Sequence, residues 1–171
     1  MVDATDSIRT TAKSAALWVA LLLLVVAAGL AVNDESMRHE ALRIVLILMA
    51  AAEGMAGLMY VFRARHMAER AGRPYAAAYH GVMQDFGFYN LAMALLLALC
   101  ALEPGRNIVI LRAAIALYAV HGATHLLRYV GYYYGGETRI PTRARCLELR
   151  DALQLVVALA GMLVFYPAAS G

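Results

Sequence analysis

The chain has 171 residues, of which 63% are hydrophobic and 16% charged. A soluble domain carries about 45–50% apolar and about 25% charged residues, so this composition excludes an ordinary water-soluble globule. The formal net charge of +3 comes from arginine clusters lying between apolar blocks, which is a membrane-topology pattern and not a nucleic-acid footprint.

Residues 14–32 are uncharged. They are 19 residues, roughly 28 Å as a helix, enough to span a bilayer. A cleaved signal peptide is the rival reading, since Arg9 and Lys13 precede the block, but the apolar core exceeds the usual ~7–15 residues. Lys13 is the single lysine, so no buried lysine exists for a Schiff-base pigment. The turn Asn33-Asp34-Glu35-Ser36 offers a helix cap.

The second span is read at 41–62. It is apolar apart from Arg43 and Glu53, and small residues surround the glutamate, Gly54 and Gly57 among them. Such small faces let helices approach closely in lipid. A basic loop follows, with Arg63, Arg65, Arg70 and Arg73. The third span, 82–102, carries Gln84, Asp85 and Asn90 early, with His80 just before it, and turns wholly aliphatic in its second half. The fourth, 108–130, opens after the turn Glu103-Pro104-Gly105-Arg106-Asn107. Its polar residues Tyr118, His121, His125 and Arg128, with Tyr132 beyond, alternate in steps of three and four, which puts them on one helix face. Tyr129, Tyr132, Tyr133 and Tyr134 form an interfacial aromatic cluster. The fifth span, 147–165, starts with Glu148, Arg150, Asp151 and Gln154 before turning aliphatic. Cys100 and Cys146 fall at opposite ends of spans, too far apart to bridge.

The fold expected is therefore all-α: one membrane domain over 1–171, a polytopic bundle of about five transmembrane helices. The N-terminal tail, the 63–80 loop and the 135–146 loop carry nine basic residues, against three (Arg38, Arg43, Arg106) on the opposite side. Positive charge favours the cytoplasmic face, so the N-terminus is expected inside, the C-terminus outside, and the setting a bacterial-type plasma (inner) membrane.

Counting 1.5 Å per residue from the cytoplasmic boundaries puts Asp85, His125 and Asp151 roughly 5–8 Å deep, and Glu53, Asn90, His121 and Gln154 roughly 10–14 Å deep. Four helices thus send polar groups into the cytoplasmic half, and the outer half is aliphatic. Ionisable groups inside a membrane are costly and mark function by default. The blander alternatives are that the histidines only bond carboxylates and glue helices together, and that Asp85, Asp151 and above all Glu148 are first-turn residues sitting in headgroups.

The pattern points first to a membrane enzyme acting on a lipophilic small molecule, such as an isoprenoid, sterol, quinone or fatty chain. A low-dielectric pocket favours neutral forms of its titratable groups, which pairs an acid and a base near neutral pH. Glu53 is the expected acid, with His121 or Asp85 its partner and Asp151 a further catalytic candidate. Substrate contacts are expected from Asn90, Tyr118, Gln154, Arg128, Phe88 and Tyr89. A variant adds zinc, iron or copper on His121 and His125, since mixed histidine and carboxylate shells suit these metals; the spacing alone is a weak signal. Haem is disfavoured, because His121 and His80, the one pair for it, differ in depth. The alternatives are a non-catalytic membrane subunit or assembly factor, within a homo-oligomer or larger membrane complex, and a proton-coupled transport component.

Overall fold

The computed structural model describes residues 4–70, 80–130 and 142–166. They form five helices: α1 (Ala4–Ala31), α2 (Glu35–Arg70), α3 (His80–Leu102), α4 (Ile108–Tyr129) and α5 (Thr142–Val164). Among the expectations above, Arg73, Arg139 and the tyrosines at 132–134 lie outside the described residues, as do the side chains of Arg9, Arg70, Arg143 and Arg145.

Long Leu-, Ala- and Met-rich runs form helices because each backbone group then bonds within its own segment. The ends are set by local chemistry. Asp34 Oδ1 accepts the Met37 amide at 3.0 Å, so Asp34 caps α2. That bond, helped by the Ser36 hydroxyl, holds the Asp34 carboxyl below its usual range. At the end of α3, Asn107 Nδ2 donates to the carbonyls of Leu99 and Glu103, each at 3.2 Å, satisfying acceptors that the helix leaves over. The axis of α2 breaks at Arg63 (φ −135°, ψ 36°), next to the expected end of the second span at 62. Two residues before the break, the Val61 carbonyl accepts Gln84 Nε2 at 3.3 Å.

Packing divides the bundle. α2 and α3 form the most intimate pair; α5 packs along α4 on one side and α1 on the other; the two groups meet more sparsely, along α2/α5 and α3/α4. Neighbours run antiparallel except α1 and α5, whose C-terminal ends meet where Gly29 faces Val164. The α2/α3 crossing is a backbone contact. A Cβ on Gly57 would lie 2.8 Å from the Gly87 carbonyl oxygen, and one on Gly87 would lie 2.9 Å from the Gly57 carbonyl oxygen.

The apolar core fills the half of the bundle away from Arg63 and His80. Leu42, Leu46 and Met49 of α2 meet Met93, Leu97 and Cys100 of α3, Leu111 and Ala114 of α4, and Met162 of α5. In that half, polar side chains serve the helix ends: Arg43 donates to the Ala101 carbonyl, Arg38 to the Val164 carbonyl and Arg112 to the Tyr166 hydroxyl. The outer surface is studded with large apolar side chains such as Leu23, Leu30, Leu48, Phe62, Leu95 and Val109. Monomers in water rarely expose so much contiguous apolar area.

Four helices have segments long and apolar enough to cross a membrane: Lys13–Ala31, Glu35–Glu69, His80–Leu102 and Ile108–Tyr129. They mark a multi-pass membrane protein. α5 is not among them, because Glu148, Arg150 and Asp151 fall in its first turns. α1 and α2 also begin earlier than the expected spans at 14 and 41. A helix does not stop where hydrocarbon begins, and polar residues continue it through the interface.

Candidate functional site

Helical periodicity brings polar side chains of three helices, α2, α4 and α5, into one connected line. On α2, Glu53 stands one turn from Gly57, the point of closest approach to α3. On α4, Tyr118, His121 and His125 recur at intervals of three and four, and each reaches a different neighbour. The Tyr118 hydroxyl donates to Glu53 Oε1 at 2.6 Å, joining α4 to α2. His125 Nδ1 meets Glu148 Oε2 of α5 at 2.6 Å. His121 sits between, its Nε2 3.1 Å from Nε2 of His125.

Glu53, Tyr89, Met93, Leu117, Tyr118 and His121 enclose a cavity of about 10 Å³, room for about one water molecule. A carboxyl and an imidazole thus face one small space, with a phenol locked to the carboxyl. Phe86 stands edge-on to His121 at a centroid separation of 6.4 Å, and stacks with Tyr89 at 6.3 Å on the other side. Phe86, Tyr89 and Leu117 are all exposed on the outer surface of the bundle. The cavity therefore lies behind the sparsely packed α3/α4 seam, one layer of side chains from the outside.

The structure gathers some of the sequence-predicted residues and disperses others. Glu53, Tyr118, His121 and Tyr89 come together, and His125 adjoins them. Asn90 is buried on α3, 4% exposed, and its Oδ1 has no hydrogen-bond partner among the described residues. Phe88, Asp85 and Gln154 are exposed and do not line the cavity. Arg128 and Asp151 are half-buried. Asp151 Oδ1 accepts both Nε and Nη2 of its neighbour Arg150, at 2.9 and 2.6 Å, so Arg150 is its partner and not either histidine.

The residue that sequence reasoning underrated is Glu148. Instead of sitting in headgroups it is buried, 4% exposed, against His125. Helix periodicity held the signal: Glu148 shares a face with Ala152 and Leu155, both buried. The charges beside it, Arg150 and Asp151, masked that stripe.

As candidate metal ligands, His121 and His125 turn their Nε2 atoms toward one another, and Nδ1 of His125 is taken by Glu148. Among the described residues, no group of three or more His, Cys, Asp or Glu side chains is arranged to hold a metal ion. Mutual hydrogen bonding is the geometry seen. No family model, curated protein or solved structure matches this chain.

Proposed function

We propose that the chain is an integral membrane enzyme whose site is the Glu53, Tyr118 and His121 cluster, acting by acid–base isomerisation or cyclisation on a lipophilic substrate such as an isoprenoid, sterol, quinone or fatty chain. The observation that carries this reading is the meeting of a carboxyl, a phenol and an imidazole around one cavity, in a bundle whose other half is apolar. Glu53 supplies or removes a proton at one wall and His121 does the reverse at the other, while Tyr118 fixes the carboxyl's rotamer. Groups so placed contribute about 10²–10⁴-fold each to a proton-transfer step.

The substrate enters sideways from the bilayer. The cavity as it stands holds about one water, so the substrate must part the aromatic layer of Phe86 and Tyr89. The sparse α3/α4 contact makes that seam the softest wall. All five helices cross the bilayer in this reading. α5 does so because Glu148 faces His125 and Asp151 faces Arg150, which leaves apolar side chains for lipid. The nine-to-three bias of basic residues puts the start of α1 in the cytoplasm of a bacterial-type plasma membrane.

The test is turnover. Purified protein is incubated with isoprenoid, sterol, quinone and fatty-chain panels, and products are followed by mass spectrometry. Glu53→Gln, whose amide oxygen can still accept the Tyr118 hydroxyl, and His121→Ala are expected to keep the yield and melting temperature of the parent and to lose at least about 10²-fold in rate. Unchanged rates in both variants would refute the assignment.

The small cavity itself favours a second reading, a non-catalytic membrane subunit in which these groups glue helices or meet a partner's helix. There the same substitutions lower yield and melting temperature, and the native protein co-purifies with a larger complex.

A further inference from the structure

The bond between His125 and Glu148 does more than join α4 to α5. A carboxylate only accepts hydrogen bonds. With Glu148 ionised and facing it at 2.6 Å through Oε2, within the short range of charge-assisted bonds, Nδ1 of His125 carries the proton. A neutral imidazole has one N–H, so Nε2 of His125 is left as an acceptor. The atom facing that acceptor at 3.1 Å is Nε2 of His121, which must therefore be the donor. The same counting leaves Nδ1 of His121 as the ring's remaining acceptor. His121 is the ring that borders the cavity with Glu53 and Tyr118.

We propose that Glu148 is a positioning residue which, acting through His125, sets the tautomer of His121 and leaves His121 Nδ1 as the proton-accepting atom of the site. This rests on the cavity being the working site; the tautomer order itself needs only the geometry together with an ionised Glu148 and a neutral His125. When His121 Nδ1 takes a proton from a bound molecule, the imidazolium keeps its Nε2–H on His125, and the negative end of the line at Glu148 stabilises it. The proton then leaves the same Nδ1 for Glu53, which has given one to the bound molecule across the cavity, so both groups regain their starting state and no proton is gained or lost. Burial suits the role: the Glu148 side chain is 5% exposed and that of His125 13%, so water does not compete for their bond. Arg128 and Asp151 are the other charged groups whose fields reach His121, and neither occupies either Nε2 atom.

Solid-state NMR on protein ring-labelled with ¹⁵N histidine, in lipid bilayers at neutral pH, reads the tautomers directly. His121 and His125 are assigned among the five histidines by His121→Gln and His125→Gln. The expected wild-type result is His125 protonated at Nδ1, His121 protonated at Nε2, and a through-bond coupling between the two Nε2 nuclei. In Glu148→Gln, whose amide both donates and accepts, each ring is expected to shift to a mixture of tautomers and the coupling to be lost. The reverse order in the wild type, or an unaltered spectrum in Glu148→Gln, would overturn the proposal. The wild-type spectrum decides even if the variant does not fold. The expected tautomers with no turnover on any substrate would remove the enzyme reading, and with it the proton-accepting role, and leave only the tautomer order set by Glu148. Turnover with the reverse order would do the opposite.

Discussion

Gly87→Ala tests the crossing that sets Glu53 in place. The added methyl would lie 2.8 Å from Val61 Cγ2 and 2.9 Å from both the Gly57 carbonyl oxygen and the Val61 amide nitrogen. Two of these three atoms are backbone and have no rotamer to escape into, so α3 must move away from α2. Overpacking of this kind costs about 1–3 kcal/mol. Against it stands the gain in helix propensity on replacing glycine, up to about 1 kcal/mol. Gly81, on the same helix, has nothing within 4 Å of an added Cβ, so Gly81→Ala carries the propensity gain alone. The difference in unfolding free energy between the two variants isolates the steric cost, at about 1–3 kcal/mol against Gly87→Ala. Equilibrium unfolding in mixed detergent micelles, followed by circular dichroism, measures it. If Gly87→Ala proves as stable as Gly81→Ala, the helices do not touch through their backbones, and the placement of Glu53 beside α4 loses its support.

Other consequences are as direct. A double-mutant cycle of Tyr118→Phe and Glu53→Ala, which removes the acceptor, is expected to return a coupling energy of about 0.5–3 kcal/mol, measured by the same unfolding assay; independent, additive effects would show that no hydrogen bond joins α2 to α4. Leu97→Ala empties a fully buried position and is expected to cost about 2–5 kcal/mol, whereas Leu95→Ala, 62% exposed on the same helix, should cost far less in lipid; equal losses would argue against the assigned core. The cap at Asp34 predicts a pH dependence. Its folded-state pKa lies below the ordinary value of an aspartate, so its stabilisation is present above that ordinary value and fades as pH falls through the folded-state pKa. The melting temperature of Asp34→Asn, measured against pH, should lie below the parent's at neutral pH and converge on it in acid; a constant gap would refute the cap's charge dependence.

The legible part of the fold was what periodicity and hydropathy encode one segment at a time. Five apolar blocks became five helices, the Asp34 turn became a cap, and the stripe at Tyr118, His121 and His125 lies on one face of α4. Partner choice was not legible, because it depends on which faces meet across the bundle. Tyr118 reaches Glu53, and His125 takes Glu148 over Asp85 and Asp151, though all three carboxylates are similarly placed along their helices. Local charge also misled: the Arg150–Asp151 pair made the start of α5 look like headgroup chemistry and hid the buried face beneath it. Asn90 is buried on α3, and its Oδ1, without a hydrogen-bond partner among the described residues, is a fact of packing that spacing does not contain.

The parallel pairing of α1 with α5 bears on how the molecule is assembled. α2 and α3 follow one another along the chain and pack closely, so their hairpin can close as soon as both are made, with little loop entropy to overcome. α4 and α5 repeat that pattern. α1 differs: its extensive neighbour is α5, made after the other described helices. During synthesis, which runs at about 5–20 residues per second, α1 has only lipid to lie against until α5 arrives from the far end of the chain. The bundle is thus built from its middle outward, and its first helix is the last to dock.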